Sequence, residues 1–271
     1  MRKFKLLRRL ILLLIVFSLC FTAYSIYFIS PKNYTFHHQS YVNDRIGSEL
    51  NGFQIAYLSD LNLTDKKSLQ RLKDIVEDLN QESFDMVIFG GDLYDQKIFQ
   101  NEDVSQLLKQ IQCSYGKFAV LGDKDKTYAL EVQQILNDGG FEVLNNTART
   151  IYYKNTSFLL YAVDQEKDLS SLKKKTPTIS LTLTHEPDSF IKNYAHTDLQ
   201  LSGHSYGGSF YIPYVGALLT SPGAKTYNHG TYHKQKSTLI VSNGLSGPSA
   251  FPYKFLAENE VNIITLKTSQ Q

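Results

Sequence analysis

Acidic and imidazole side chains recur where apolar, strand-like runs of this sequence end. Open α/β sheets place their sites at the carboxyl ends of strands, and Asp and His are ligands of divalent metals. The chain is therefore expected to be an α/β structure that gathers such residues at one edge of a sheet. Most of the following fragments obey this rule, in one order along the chain: Ser59-Asp60-Leu61-Asn62, Gly90-Gly91-Asp92, Gly122-Asp123-Lys124-Asp125, Thr184-His185-Glu186 and Gly203-His204-Ser205-Tyr206-Gly207-Gly208.

The chain between these fragments alternates between strand and helix patterns in its first half. Apolar runs predict strands at 53–58, 84–89 and 117–121. Helical spacing of apolar residues predicts helices at 65–80, 102–112 and 127–137. Such a half implies parallel strands joined by right-handed crossovers. The second half is richer in strands, which are predicted at 151–153, 158–161, 179–183, 199–201, 238–241 and 261–266.

The amino-terminal segment has the pattern of a membrane span. Five cations in residues 1–9 precede an uncharged apolar run over residues 10–29. Twenty helical residues at about 1.5 Å each cover the roughly 30 Å of a bilayer core. We expect a cytoplasmic basic tail, a transmembrane signal anchor over residues 10–29, a linker over residues 30–49 and one extracytoplasmic domain over residues 50–271. A cleaved signal peptide is the competing interpretation, and a buried core helix is disfavoured by the adjacent cations.

Charge and cysteine content exclude two classes of site. The formal net charge is +2, and because residues 1–9 hold five cations, the remaining residues are net acidic. An acidic domain is unsuited to the phosphate backbone of nucleic acids, so no nucleic-acid partner is expected. Cys20 lies in the apolar run and leaves Cys113 alone in the rest of the chain. Neither a disulfide framework nor a cysteine-held zinc ion is therefore expected.

The ordered fragments resemble the motifs of calcineurin-like metallophosphoesterases, whose pattern is roughly Asp-x-His, Gly-Asp, Gly-Asn-His-Asp/Glu, His and Gly-His-x-His. The resemblance covers most of residues 53–266. Ile212-Pro213 and the segment Asn243-Gly244-Leu245-Ser246-Gly247-Pro248 add similarity to membrane-associated bacterial members. The resemblance implies a four-layer α-β-β-α sandwich of two mixed sheets, preceded by one amino-terminal transmembrane helix. It also implies metal-assisted hydrolysis of a phosphoester at two metals that share one carboxylate.

The resemblance assigns a complete ligand set to the second of the two metals. Asp92 is the bridging ligand, and Asp123, His185 and His204 bind the second metal, with Asp123 where the family has asparagine. Two carboxylates and two imidazoles suit manganese, iron or zinc. One divalent ion is therefore expected.

The first metal site departs from the family pattern. Asp60 keeps its ligand position, but Asn62 and Tyr206 stand where the family has histidines. An amide oxygen is a neutral donor, and a phenol with a reference pKa of about 10 is a poor ligand unless it ionises. This first site is therefore expected to bind a metal ion weakly or not at all.

The pair Lys124-Asp125 carries the catalytic assignments of the resemblance. Lys124 replaces a family histidine that assists the phosphate or the leaving group. Its ammonium either neutralises Asp60 and Asp92 in place of the missing metal or points into solvent. Asp125 either corresponds to the acidic residue that orients the family histidine or pairs with Lys124. Asp95 is expected to shape its loop.

A serine-hydrolase motif overlaps the last fragment. Gly203-His204-Ser205-Tyr206-Gly207 satisfies Gly-x-Ser-x-Gly, which requires a following helix and then an acid and a histidine in order. The residues after it are not helical in pattern, no acid lies between Ser205 and His233, and no histidine follows Glu258. The nucleophile-elbow interpretation therefore fails.

Two functions stay open. The first is a membrane-anchored, extracytoplasmic phosphoester hydrolase of reduced activity that uses one divalent metal. The second is a catalytically inactive relative that binds a phosphorylated envelope component or a partner protein.

Overall fold

Two six-stranded sheets enclose a shared apolar core in the computed structural model, which describes residues 2–164, 169, 179–249 and 251–269. The first sheet contains, in spatial order, β1 (Tyr34–Asn43), β14 (Asn259–Thr268), β2 (Gln54–Leu58), β3 (Met86–Phe89), β4 (Gly116–Ala119) and β5 (Phe141–Val143). The second contains β12 (Gly230–Lys234), β13 (Ser237–Val241), β9 (Leu199–Ser202), β8 (Ser180–Leu183), β7 (Thr156–Ala162) and β6 (Thr147–Tyr153). A separate short hairpin contains β10 (Tyr211–Ile212) and β11 (Gly216–Ala217).

Helices cover the outer faces of both sheets. The first sheet carries α2 (Lys66–Leu79), α3 (Asn101–Gln110) and α4 (Ala129–Asp138), whose buried side chains share one cluster with β2 and β3. The second carries the short helix α5 (Phe190–Asn193), in which Phe190 packs on β13. The four-layer sandwich predicted from the sequence is confirmed.

Local sequence explains why these helices and strands form where they do. In α2, Leu72, Ile75 and Leu79 recur at helical spacing and are buried, and Asp65 caps the first turn by accepting hydrogen bonds from the Lys67 and Ser68 amides. Strands β2, β3, β4 and β5 pair in parallel, as the alternation predicts. The helix and strand bounds expected from the sequence differ from the observed ones by a few residues at most.

The predicted linker over residues 30–49 is corrected by the structure. Strand β1 occupies ten of these residues and pairs in parallel with β14 along its whole length. The sequence of this segment is polar because β1 lies at the edge of the sheet, where half of its side chains are exposed and Tyr41 alone is fully buried. A polar edge strand gives no apolar run in the sequence.

The amino-terminal helix α1 (Arg2–Tyr24) continues through a π-helical turn at Ser25–Ile29. Its stretch Phe4–Phe28 is long and apolar enough to cross a membrane, judged by length and composition, and none of it is buried against the domain. The helix ends against the domain at Tyr27, whose ring contacts Tyr253 at 4.5 Å between centroids.

Candidate metal centre

The candidate site lies at the carboxyl ends of strands from both sheets. Loops after β2, β3 and β4 carry the acidic residues, and loops after β8 and β9 carry the histidines. The two sheets therefore supply different ligand types to one place. The strand-end residues are Asp60, Asp92, Asp123, His185 and His204.

Several residues of the centre have left-handed backbone conformations. The φ angles are 55° at Asp60, 45° at Asn62, 59° at Asp92, 65° at His204 and 54° at Tyr206. Such conformations cost of order 1 kcal/mol or more in non-glycine residues and cluster at functional sites. The surrounding fold therefore imposes the positions of these side chains.

Two glycines let the acidic loops approach one another. A Cβ on Gly122 would lie 2.0 Å from Asp92 Oδ1, and a Cβ on Gly91 would lie 2.8 Å from His185 Nδ1. No side chain can occupy either position without displacing a residue of the centre. The glycines that precede Asp92 and Asp123 are therefore part of the site.

Asp92, Asp123, His185 and His204 form a compact group of donors. One ligand atom from each lies within 4.8 Å of all the others. Asp123 Oδ1 is 2.9 Å from His204 Nδ1 and 3.1 Å from His185 Nε2, and His185 Nε2 is 3.4 Å from Asp92 Oδ2. The structure thus brings together the four residues expected to hold the second metal.

Backbone carbonyls orient both histidines towards the centre of this group. His185 Nδ1 lies 2.7 Å from the Gly90 carbonyl oxygen, and His204 Nε2 lies 2.6 Å from that of Pro222. A carbonyl accepts only, so each of these nitrogens carries the proton when the ring is neutral. The lone pairs of His185 Nε2 and His204 Nδ1 then face the carboxylates, as metal-binding imidazoles require.

The buried carboxylate of Asp92 gives a second reason why the four donors fit a divalent cation. Asp92 is fully buried, and among the described residues no group donates a hydrogen bond to its Oδ2. A buried carboxylate oxygen without a donor is costly, and a metal ion satisfies it.

The charges of the centre are strongly coupled. Burial opposes ionisation of Asp123, but its hydrogen bonds to His185 and His204 prevail and lower its pKa. Burial likewise opposes protonation of His185, but Asp92 and Asp123 prevail and raise its pKa. Without a metal ion, protons on the imidazoles therefore balance the carboxylates.

Asp60 lies beside the four-donor group and contacts its backbone. Its carboxylate accepts the His204 amide at 3.0 Å, and its own carbonyl accepts the Ser246 hydroxyl at 2.8 Å. Burial, reinforced by Asp92 and opposed by His185, raises the pKa of Asp60. In the structure this residue fixes the backbone of a proposed ligand.

Lys124 occupies the position bounded by the two residues that replace family histidines. Its Nζ lies 2.9 Å from Asn62 Oδ1 and 2.7 Å from Asp95 Oδ1, and 5.3 Å from the centroid of the Tyr206 ring. The side chain is 15% exposed, so the expectation of a solvent-facing lysine is wrong. The other expectation was that the Lys124 ammonium neutralises Asp60 and Asp92. The structure corrects the partner, because the carboxylate that pairs with Lys124 is that of Asp95.

Tyr206 is buried beneath this lysine. Burial and the nearby Asp60 carboxylate raise the pKa of its phenol well above the ordinary value. The phenol is therefore neutral near pH 7, which makes it a poor ligand.

Asp125 joins the two acidic loops. Its buried carboxylate accepts the amides of Asp92 at 2.8 Å, Leu93 at 3.0 Å and Gly122 at 2.9 Å. Burial and the neighbouring Asp92 raise its pKa to about 7. Asp125 thus contacts backbone, whereas Lys124 pairs with Asp95.

The sequence did not identify every polar residue of the centre. Asp95 accepts hydrogen bonds from Lys124 and from the Ser249 hydroxyl, and Ser246 accepts one from Asn62 Nδ2 at 2.5 Å. Both serines belong to the loop after β13. Ser246 lies in the segment Asn243–Pro248, for which the sequence gives only a similarity to bacterial members, and Ser249 follows that segment. The sequence pattern predicts neither contact.

The sequence matches the family described as calcineurin-like phosphoesterase over residues 53–216. It is 32% identical over 232 residues to the uncharacterized metallophosphoesterase YkuE of Bacillus subtilis, which covers 80% of each chain. Identity to the phosphodiesterase YaeI of Escherichia coli is 28%, over 79% of this chain and 82% of the relative.

A longer relative comes from Danio rerio and is named a transmembrane protein with metallophosphoesterase domain. It is 23% identical over 83% of this chain, and the chain spans 55% of its length. The family match alone extends over more than half of the residues and includes all five fragments in full. This chain belongs to the calcineurin-like phosphoesterase family.

Proposed function

We propose that this chain hydrolyses phosphoesters with one divalent metal ion and one fixed lysine ammonium. Asp92, Asp123, His185 and His204 hold the ion, which is manganese, iron or zinc. The observation that carries the proposal is the grouping of their four donor atoms within 4.8 Å of one another. An ion in this place supplies Lewis acidity to a phosphoryl oxygen.

Lys124 supplies positive charge beside the ion. An ammonium has three donors, and Asn62 and Asp95 take two of them. The third is available to an oxygen of the substrate phosphate. Asp92 Oδ1 accepts the Lys124 amide at 3.0 Å, so a proposed metal ligand and the lysine backbone hold one another in place.

Asp60 and Asp125 act as positioning residues in this proposal. Asp60 holds the backbone amide of His204, and Asp125 holds the amides of Asp92 and Gly122. Neither carboxylate needs to touch the substrate for these roles. They keep the left-handed loops of the centre in place while charge moves on the phosphate.

We also propose that residues 10–29 anchor the protein in a membrane as a single span, with the domain on the extracytoplasmic side. The apolar helix and its basic amino-terminal flank support this arrangement, since positive flanks stay in the cytoplasm. The Danio rerio relative is named a transmembrane protein, which agrees with the membrane anchor.

Metal content and turnover test the proposal together. The full chain, purified in detergent and loaded with manganese or zinc, is expected to hold one ion and to cleave bis(p-nitrophenyl) phosphate. His204→Ala removes a ligand and is expected to abolish both. His233→Ala is the matched control, because this exposed histidine of β12 lies outside the centre.

Each alternative predicts a different pair of results. One ion without any turnover contradicts hydrolysis and favours the inactive relative that binds a phosphorylated envelope component or partner. Two ions per chain contradict the role of Lys124 as the second cation.

A further inference from the structure

We propose that an apolar hairpin beside the metal centre inserts into the membrane surface, so that the substrates are phosphoesters carried by lipid chains. The apolar hairpin is defined as residues 210–219 and contains β10 and β11. The proposal rests on the hydrolase function and the membrane anchor proposed above, and it names the substrate class of that site.

The tip of the apolar hairpin presents large apolar side chains to solvent. Tyr214 is fully exposed, Val215 is 72% exposed, and Leu218 and Leu219 are 55% and 58% exposed. Phe251 and Leu256, on the segment that packs beside the hairpin, are also exposed. Clustered exposed apolar residues mark a membrane or protein contact, whereas single ones need no explanation.

Ring contacts connect this surface to the end of the membrane helix. Tyr27 at the end of the apolar stretch contacts Phe251 at 6.4 Å between centroids, and Phe251 contacts Phe210 at 5.7 Å. Phe210 begins the hairpin, and its carbonyl accepts the Leu218 amide at 2.8 Å. The helix therefore joins the domain on the side that carries the exposed apolar residues, which favours a bilayer as the occupant.

The charge of this part of the chain suits an anionic bilayer. No Asp or Glu occurs between Asp198 and Glu258, although the chain beyond its basic tail is net acidic. The same stretch contains four lysines, of which Lys225, six residues beyond the hairpin, is exposed. A lysine near a membrane surface is attracted to anionic lipid.

The apolar hairpin is also continuous with the metal centre. A Cβ on Gly208, in the loop that carries His204, would lie 2.2 Å from the Cβ of Ala217 in β11. Three residues beyond the hairpin, the Pro222 carbonyl orients His204. Insertion of the hairpin tip to about 5–10 Å would hold the centre close to the lipid headgroups. A phosphoester attached to lipid chains could then reach the metal without leaving the bilayer.

Fluorescence quenching by lipid tests the insertion independently of activity. The sequence contains no tryptophan, so Tyr214→Trp gives a single tryptophan at the hairpin tip, which can be excited apart from the tyrosines. Tyr152→Trp is the matched control on β6, where Tyr152 is 76% exposed. Both variants of the full chain are placed in nanodiscs of phosphatidylglycerol and dibrominated phosphatidylcholine. We expect the bromine to quench the tryptophan at 214 several-fold more than that at 152.

Equal quenching at the two positions would overturn the insertion. Blue-shifted emission at position 214 in detergent that depends on protein concentration would also overturn it, because a second copy of the chain would then cover the hairpin.

Substrate preference tests the second half of the proposal. We expect Val215→Asp with Leu218→Asp to lower hydrolysis of a nanodisc-embedded phospholipid about ten-fold relative to bis(p-nitrophenyl) phosphate, because carboxylates oppose insertion. A parallel loss on both substrates would overturn the link between insertion and substrate class. No turnover of either substrate by the unmodified chain, with quenching intact, would refute the hydrolase function and leave the membrane contact standing.

Discussion

Lys124 reaches between Asn62 and Asp95, beside the ring of Tyr206. The family pattern places ligands of the first metal ion at Asn62 and Tyr206. An ammonium has half the charge of a divalent ion and no empty orbital to offer. It stays in place, however, whatever the concentration of metal around the protein. The substitutions at Asn62, Tyr206 and Lys124 are consistent with one another, since the first two positions contact the third.

Replacing Lys124 tests this role. Lys124→Met is expected to lower kcat about 100-fold while metal content stays at one ion, because a charge near the phosphate is lost without loss of a ligand. Elemental analysis and steady-state kinetics on the same preparation measure both quantities. The matched control is Lys126→Met, which is expected to keep full activity. The side chain of Lys126 is exposed, and its Nζ lies 3.8 Å from Asp164 Oδ1.

The stability of the Lys124→Met variant gives a second readout. The change leaves Asp95 without its cation although that carboxylate is only 9% exposed. We expect the variant to lose about 1–3 kcal/mol of stability and Asp95→Asn in the same chain to restore part of it. Unchanged activity together with unchanged stability would show that Lys124 is dispensable.

Among the helices and strands, those whose apolar residues recur with a clear period or form a continuous run could be predicted from the sequence. Helix α2 and strands β2 and β3 are buried on one or both faces, so their apolar residues reveal them. Strand β1 was missed because its partner β14 lies far along the chain and its own pattern is polar. Long-range pairing of an edge strand leaves little trace in local sequence.

The residues of the candidate centre also differ in how well the sequence predicts their positions. The positions of proposed ligands that directly follow strands, such as Asp92 and His185, could be predicted because parallel strands end at a common edge. Asp95 and Ser246 lie in irregular loops, where no period fixes the direction of a side chain. The partner of Lys124 was therefore predicted incorrectly, because the lysine pairs with Asp95 and not with Asp60 or Asp92.

Gly122 lies in the loop after β4, and its replacement tests how closely the acidic loops must approach one another. Gly122→Ala is expected to destabilise the fold by more than about 2 kcal/mol and to lower metal content, since the added Cβ would lie 2.0 Å from Asp92 Oδ1. Urea unfolding and elemental analysis measure these effects. Gly47→Ala is the control, because no atom lies within 4 Å of its added Cβ. Similar stability of the two variants would mean that the turn can relax.

Across the whole molecule, the proposed metal ion joins the two sheets. Asp92 and Asp123 follow strands of the first sheet, and His185 and His204 follow strands of the second. A bound ion would therefore tie the two halves of the sandwich at one edge, in addition to the apolar core between them. Ligand binding of this kind stabilises the folded state by mass action.

Removal of the metal tests this connection. Ion at about 100 times its dissociation constant adds roughly 2.7 kcal/mol, so chelation is expected to lower Tm by several degrees. Thermal unfolding of the full chain in detergent, with and without EDTA, measures the shift. His204→Ala is expected to unfold at the lower temperature in both conditions. A chelator-insensitive Tm in the unmodified chain would mean that no ion links the sheets.

The position of β14 between β1 and β2 has a consequence for biosynthesis. Asn259 at the start of β14 donates its side-chain amide to the carbonyls of Ser30 and Asn33, the latter 226 positions earlier in the chain. A ribosome therefore makes the strand next to the amino-terminal apolar helix long before it makes β14, with which that strand pairs among the described residues. Until β14 emerges, β1 is an unpaired polar segment open to proteases and chaperones. A translation product that stops before β14 would keep its amino-terminal helix and lose this closure, so its β1 would stay unpaired.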